Sequence, residues 1–506
     1  MRIHMIGHAS IFVETKDSNI LVDPVLFSSY LQGTESICPE REVIQNLIPE
    51  FDLLIISHWH SDHYNPQSLA ALPKNVDVII PNDRILKECL RRLGYSRIYT
   101  VLDFDEVKIG STSILTTKSE NRVPEFGMVF SDPSGVFWNQ VDSIASLNTI
   151  AVVKSKFSNI DFLLAPWQPM LENQYLINDT ISFPYSLYGE SLKHLSVISP
   201  TAIAPGANGF KKINSASWMN SIVFPVTRER FCQDIKMACP ELKNNIFTLD
   251  PGDIIQIDNG ISKYIQGGSH FINKIQQDDR EKLDFYPVNL DSRIVDCNHD
   301  NYDIELVKKE IENEFIPDFS KFMVENKYSI FLEYVHWNVI YQLEIIFPNF
   351  SMKWSLDFSA KSAQMQVGRN PCANLFTLIT ASGLYSLMKK YKCYEYLTFS
   401  GSHRWFQKIY MATPHGIVRP ENKQMIDPIY LMFPYKDIFE VTQYKEIEKW
   451  GFSNSLIVNN ENTSMLRLGN TLVRIIDNRG KQLNSISKDD TSPIKCLIES
   501  NKYMVQ

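Results

Sequence analysis

Short apolar runs separated by polar turns mark the first half of the chain. Arg2 to Val13 alternates weakly and is rich in Ile, Phe and Val. This is a strand pattern, with Gly7-His8-Ala9-Ser10 as a tight bend or bulge. Asn19-Ile20-Leu21-Val22 predicts a second strand, ended by Pro24. Phe51-Asp52-Leu53-Leu54-Ile55-Ile56 predicts a buried strand, and Pro66 to Leu72 a helix with Pro in its first turn. Val76 to Pro81 reads as a short strand. Arg84 to Leu93 has helical spacing, with Leu86, Leu90 and Leu93 on one face and Gly94 as the stop. Val107 to Thr116 and Asp161 to Trp167 are further strand regions. Strand–helix alternation that begins from near-antiparallel strands fits an α/β chain folded as an αββα sandwich.

The pattern changes after Gly267-Gly268, where Asp278-Asp279-Arg280-Glu281-Lys282 is charged. A domain over residues 1–270, a linker over 271–300 and an accessory domain over 301–506 are expected. In the last, Asp303 to Glu314 predicts a charged amphipathic helix. Ser329 to Phe350 predicts aromatic strand structure that Trp354 to Phe358 pairs with, and Asn374 to Tyr391 a helix. Ser400 to Phe406 starts another segment, giving a C-terminal α+β domain expected to recognise substrate, dimerise or cap a pocket. Arg369, His403 and Arg404 are candidates for a phosphate or carboxylate, against a solvated cationic face.

Composition narrows the function classes. Hydrophobic residues make up 44% and charged residues 21%, ordinary for a globular protein, and the net charge of −8 argues against a general nucleic-acid or anionic-membrane binder. No apolar run reaches about 18 residues, and Met1 leads straight into a strand pattern without a signal peptide. The eight cysteines are scattered without a Cys-x-x-Cys pair, as expected of reduced thiols in a cytoplasmic protein. Cys297-Asn298-His299 is half of a Rieske iron–sulfur signature whose other half is absent. Walker, dinucleotide-glycine and Gly-x-Ser-x-Gly motifs are also absent.

The strongest chemistry lies in Ser57-His58-Trp59-His60-Ser61-Asp62-His63-Tyr64. Three of only 11 histidines and one aspartate fall between positions 58 and 63, directly after a buried strand. Imidazole and carboxylate in this density suit iron, zinc or manganese.

His-x-His-x-Asp-His after a strand resembles the metallo-β-lactamase superfamily. Gly7-His8-Ala9-Ser10 followed by a strand and Asp23-Pro24 is similar to its ascorbate-6-phosphate-lactonase-like branch. Val136-Phe137-Trp138-Asn139-Gln140-Val141-Asp142, Ala204-Pro205-Gly206-Ala207-Asn208-Gly209-Phe210 and Pro251-Gly252-Asp253 resemble CMP-N-acetylneuraminate hydroxylases over residues 1–270, without their Rieske domain. The resemblance implies that His58 and His60 bind one metal and that Asp62 and His63 serve a second. It further implies that Asp142 bridges, that His8 faces substrate and that Asp23 orients a histidine. Asp62 is then a base or second-metal ligand.

Two expected histidines are missing. In place of the one on the third strand stand Glu120 and Glu125, with Glu120 nearer the family position. The last is absent from Pro205-Gly206-Ala207-Asn208, and His194 lies about a dozen residues earlier. An added carboxylate makes a harder site that favours iron or manganese over zinc. The aromatic loop Trp167, Tyr175, Phe183, Tyr185 and Tyr188 either covers substrate or packs as an ordinary loop.

Three functions follow as expectations. The first is an iron oxygenase with one or two ions, acting on a polar small molecule with electrons from an external donor. The second is a metal-dependent hydrolase of an ester, lactone or phosphodiester. The third is a binding module on a degenerate fold. A homodimer is compatible with each.

Overall fold

The N-terminal apolar runs build two facing sheets. The computed structural model describes residues 1–121, 123–242, 244–275, 285–286, 294–361, 363–420, 425–451 and 473–476. In the first sheet, Arg2–Gly7 and Ser10–Glu14 form an antiparallel hairpin whose turn holds His8 and Ala9. Asn19–Val22 continues it antiparallel, and then Leu53–Ile55, Asp77–Pro81 and Ile98–Val101 add in parallel. On the other side, Ile254–Asp258 and Ile261–Ile265 complete eight strands. The second sheet runs from Ile203–Pro205 through Phe162–Ala165, Gly135–Asn139, Phe126–Asp132, Thr112–Lys118 and Glu106–Ile109 to Val473–Ile476.

Period-2 alternation explains the layering. Ile3, Met5, Ile11, Val13, Ile20, Val22 and Ile55 point inward from one sheet and meet Met128, Phe130, Phe137, Phe162 and Leu164 of the other. The opposite faces are covered by helices. Pro66–Ala71 and Arg84–Arg92 pack on Phe12, Leu21, Leu54 and Val78. Leu147–Lys156, Tyr185–Ile198 and Arg228–Ala238 pack on Leu115, Val129, Trp138 and Leu163. This is the expected αββα sandwich. The region expected as one strand, 107–116, is a hairpin turned at Gly110 and Ser111. At the start of the expected linker, Ile272–Lys274 pairs with Arg41–Val43, so the first unit continues to residue 274. The charged stretch 278–282 lies outside the described residues.

The C-terminal unit has its own core around a five-stranded sheet of Gln366–Val367, Ser351–Asp357, Ile340–Ile346, Leu375–Thr380 and His403–Gln407. Two expectations are corrected there. Residues 374–391 are a strand, Leu375–Thr380, followed by a helix, Ala381–Met388. The β-branched and aromatic run Phe376-Thr377-Leu378-Ile379 pairs on both edges, and the Thr380 side chain caps the helix by accepting from Gly383 N. The aromatic stretch 329–350 opens with a helix, Leu332–His336, before its strand begins at Ile340.

The two units touch extensively. Tyr435–Gly451 packs along the Pro66–Ala71 helix, and Phe439 and Ile447 enter the core under the first sheet. The Arg404 Nε donates to Tyr175 O at 3.2 Å. Among the described residues no helix is long and apolar enough to cross a membrane.

Candidate metal centre

Several strands end along one edge of the sandwich, and their following residues converge there. Leu53–Ile55 runs into Ser57, and Asp23 leaves the adjacent parallel strand beside it. Fully buried Asp23 accepts from Ser57 N at 2.7 Å and from Ser57 Oγ at 2.6 Å, and faces His63 Nδ1 at 2.9 Å. The His60 carbonyl accepts from His63 N and Tyr64 N, turning the chain into the next helix. Asn65 then caps that helix by accepting from Ser68 N at 2.8 Å.

This turn faces His58, His60, Asp62 and His63 into one space. His58 Nε2 lies 2.8 Å from His60 Nδ1, and His63 Nε2 lies 3.1 Å from Asp142 Oδ2. His8 Nε2 lies 2.9 Å from Asp62 Oδ2. Three overlapping groups have ligand atoms within 4.8 Å of one another. They are His58, His60 and Asp62; His58, His63 and Asp142; and His8, Asp62 and His63. His8, Asp23 and Asn208 all have left-handed backbone, as does Val141 next to Asp142.

The charges are tuned by burial and by each other. Burial, reinforced by His63 and His60, holds His58 well below the usual imidazole range and therefore neutral. Burial likewise lowers His60. Asp62 stays ionised well below the usual carboxylate range: burial opposes this, but the His63 charge and the hydrogen bonds from His63 and His8 outweigh it. Burial also works against a charged His63, yet Asp62, Asp142 and Asp23 hold it protonated well above its ordinary range. A neutral imidazole pair beside the ionised Asp62 is a donor set suited to a divalent cation, which would take the proton's place on His63.

The structure does not bring Glu120 to this cluster. Its side chain is exposed and lies 3.4 Å from Lys118 Nζ. The turn between 119 and 125 is the reason. Ser119 Oγ accepts from Asn121 N and donates to Glu125 Oε1, folding Glu125 rather than Glu120 back toward the site. Phe126 N then bonds Ser57 O at the motif itself. Glu125 is buried, and Asn121 Nδ2 ties its Oε1 (2.6 Å) to the Asp142 carbonyl (3.2 Å). Its Oε2 and Asp142 Oδ1 are buried without a hydrogen-bond partner among the described residues. Burial, with Asp142 adding to it, pushes the Glu125 carboxyl up to about 7. Asp142 Oδ1 is an orphaned carboxylate oxygen on a residue grouped with His58 and His63, which a cation would satisfy, whereas Glu125 joins none of the three groups.

Asn208 stands where the last histidine was expected, and its buried Oδ1 also lacks a hydrogen-bond partner among the described residues. His194 lines the adjoining cavity but joins none of the three groups. His403 is fully buried against Asp427 Oδ2 at 2.8 Å, and the Arg404 guanidinium lies 4.6 Å over the Tyr175 ring. Neither presents a surface cation, and Arg369 is exposed away from the cavity.

A cavity of about 760 Å³ opens over His60, Asp62 and Asp142. One wall is sandwich, with Trp167, Asn208 and Lys212. The other is the C-terminal unit, with Tyr394, Glu395, Phe399, Tyr430 and Tyr435. A second cavity of about 500 Å³ lies on the His8 side and shares Trp167, Gln168, Asn208 and Phe210 with the first. Of the aromatic loop, Trp167 lines both cavities, Tyr175 packs on Trp218, and Tyr185 is exposed. The C-terminal wall was not legible from the sequence, because no local motif announces residues that meet a site more than 300 positions away.

Comparisons with known proteins cover parts of the chain. Residues 2–145 match the family model described as a beta-lactamase superfamily domain, so this part of the chain carries the metallo-β-lactamase fold. A 4-amino-L-phenylalanyl-[CmlP-peptidyl-carrier-protein] 3-hydroxylase of Streptomyces venezuelae is 31% identical over 122 residues, 22% of this chain and 22% of that protein. A Bacillus subtilis protein named as the metal-dependent hydrolase YtkL is 29% identical over 146 residues, 27% of this chain and 57% of that protein. The crystal structure of CmlA, a diiron beta-hydroxylase from Streptomyces venezuelae, superposes with a TM-score of 0.36 at 17% identity, covering 49% of this chain and 53% of that one. Over 187 residues, the chain spans only 36% of the length of three further curated relatives that it matches.

Proposed function

We propose that the protein is a metal-dependent oxygenase, with iron in a dinuclear centre, acting on a polar small molecule held in the cavity between the two units. The observation that carries this reading is Glu125, a third carboxylate linked to Asp142 through Asn121, whose buried Oε2 has no hydrogen-bond partner among the described residues. His58, His60, Glu125 and Asp142 would hold one ion, and Asp62, His63 and Asp142 the other. A carboxylate in place of a third histidine gives a harder, more anionic donor set that suits iron. The hydroxylase name of one relative supports the same chemistry. Bound iron would supply oxygen activation, with electrons delivered by a separate donor.

The chain's own residues prepare this site. Asp23 fixes the His63 ring so that Nε2 faces the cluster. His8 holds the Asp62 carboxylate. Asn121 links Glu125 to the backbone at Asp142. The C-terminal unit forms one wall of the cavity, which would shield one side of a bound substrate from water.

A second reading, a hydrolase, is favoured by one observation. Asp62 is held ionised at the cavity wall, where a general base would stand, and another relative carries a hydrolase name. Elemental analysis of protein purified without added metal separates the two. Stoichiometric iron with reductant-dependent oxygen uptake is expected. Zinc alone, with turnover of ester or phosphodiester substrates and no oxygen uptake, would overturn the oxygenase.

A further inference from the structure

The wall that the C-terminal unit contributes has a chemistry of its own. Glu395, 8% exposed, lines the cavity on the short Tyr394–Phe399 helix. Its Oε1 accepts from the Tyr435 hydroxyl at 3.3 Å, and its Oε2 has only the Cys393 thiol at 3.9 Å. No Lys, Arg or His side chain pairs with it among the described residues. Buried carboxyl groups are ordinarily paired with a cation or coordinate a metal.

The surrounding charges do not supply one. Lys212 is the only lysine or arginine among the described residues lining the cavity. Its buried ammonium bonds Glu35 and lies 3.4 Å from Glu172. One positive charge is thus shared by two carboxylates, and Glu172 Oε1 has no hydrogen-bond partner among the described residues. Away from the metal ligands, the cavity therefore carries Glu35, Glu172 and Glu395 against Lys212 alone. An anionic group there would find no free cation to pair with among the described residues.

Aromatic rings form the rest of this wall. Tyr435 lies 5.6 Å from Trp59 and 6.3 Å from Tyr394, which in turn lies 4.3 Å from Tyr430. Aromatic faces beside a carboxylate attract a desolvated cation. Lys212 demonstrates the effect within the same cavity, with its ammonium 4.1 Å over the Phe399 ring.

We propose that Glu395 and the tyrosine wall around it bind a cationic amino group of the substrate, making the C-terminal unit the specificity element for amine-bearing molecules. This rests on reading the cavity as the substrate site. Burial, with Asp62 adding to it, pushes the Glu395 carboxyl up to about 8, which marks the absence of a cation that an ammonium ligand would supply.

The test uses three aryl probes of similar size on the full chain: tyramine, its alcohol counterpart tyrosol, and 4-hydroxyphenylpropionate. Binding is measured calorimetrically on metal-loaded and metal-stripped protein. Tyramine should bind at least about tenfold more tightly than either other probe. Glu395→Gln should abolish that preference while leaving tyrosol binding and circular dichroism unchanged. Glu395→Asp, which withdraws the carboxylate, should reduce it. Equal or weaker amine binding, no saturable tyramine binding below about 10 mM, or an unchanged preference in Glu395→Gln would overturn the proposal. Metal content of the same samples distinguishes the two readings. An intact amine preference in protein that takes up no metal on loading would sink the metalloenzyme and keep the cation pocket. Bound metal without the preference would sink the pocket alone.

Discussion

Asp23→Asn isolates orientation from folding. Asp23 is fully buried and receives Ser57 N, Ser57 Oγ and the His63 Nδ1 edge at 2.6 to 2.9 Å. Alanine would strand all three donors at about 1–3 kcal/mol each, a large part of the about 5–15 kcal/mol that holds a domain folded. Asparagine keeps the shape, and its carbonyl still accepts from Ser57 N. Its amide, however, donates toward His63 Nδ1. The ring then carries its proton on Nε2, the nitrogen 3.1 Å from Asp142 that faces the cluster. A protonated Nε2 has no lone pair for a cation. Restoring the binding tautomer sets two donors against each other, which costs about 1.4–2.7 kcal/mol, or 10- to 100-fold in metal affinity. Competition against a chelator at neutral pH measures the affinity, and a thermal melt monitors the fold. Metal affinity within about threefold of wild type, in a variant that melts normally, would falsify the assignment of Asp23 as the residue that orients His63.

Three further outcomes are expected. Glu125→Ala should lower metal stoichiometry or affinity by about tenfold or more, whereas Glu120→Ala, changing an exposed residue paired with Lys118, should leave both unchanged by elemental analysis. Glu395→Gln should change the pH dependence of stability. The wild-type carboxyl is raised from 4.5 to about 8, so the folded chain binds the extra proton across that window and loses stability as pH rises through it. At about 1.4 kcal/mol per tenfold in protonation, the gain of the glutamine variant grows from near zero at about pH 5 to at most about 5 kcal/mol above pH 8, and parallel denaturation profiles would contradict it. Gly209→Ala should destabilise by about 1–3 kcal/mol in urea unfolding, because a Cβ there would sit 3.1 Å from His8 N and Cα.

What the sequence disclosed follows from how local each signal is. His58, His60, Asp62 and His63 lie on one turn, so their spacing alone carried the ligand set. His8 and Asp23 came from the family resemblance carried by Gly7-His8-Ala9-Ser10 and Asp23-Pro24, and both have left-handed backbone. Choosing between Glu120 and Glu125 required the path of a seven-residue turn, which periodicity does not encode. Residues 374–391 misled because Leu375, Leu378, Leu384 and Leu387 fit a helical face while the first two lie on a strand. The pocket wall is a long-range product. Lys212 and Glu35 meet across 177 positions, and neither is an expected core residue from its side chain.

The strained backbone shows why so much of the site lies on one edge. His8, Asp23, Val141 and Asn208 adopt φ between 45° and 64°, and each follows or adjoins a strand end there. Left-handed backbone costs a non-glycine residue about 1 kcal/mol or more, and a β-branched one such as Val141 most. Such turns persist only where the surroundings over-determine them. Here two sheets with a shared apolar core fix the strand ends, and the turns have little freedom left. The sandwich therefore sets the positions of His8, Asp62, His63 and Asp142 before any ligand arrives, and only the wall from the C-terminal unit stands outside that constraint. Changes of substrate preference should accordingly map to Tyr394, Glu395, Tyr430 and Tyr435, whereas changes in the sandwich turns should alter metal binding.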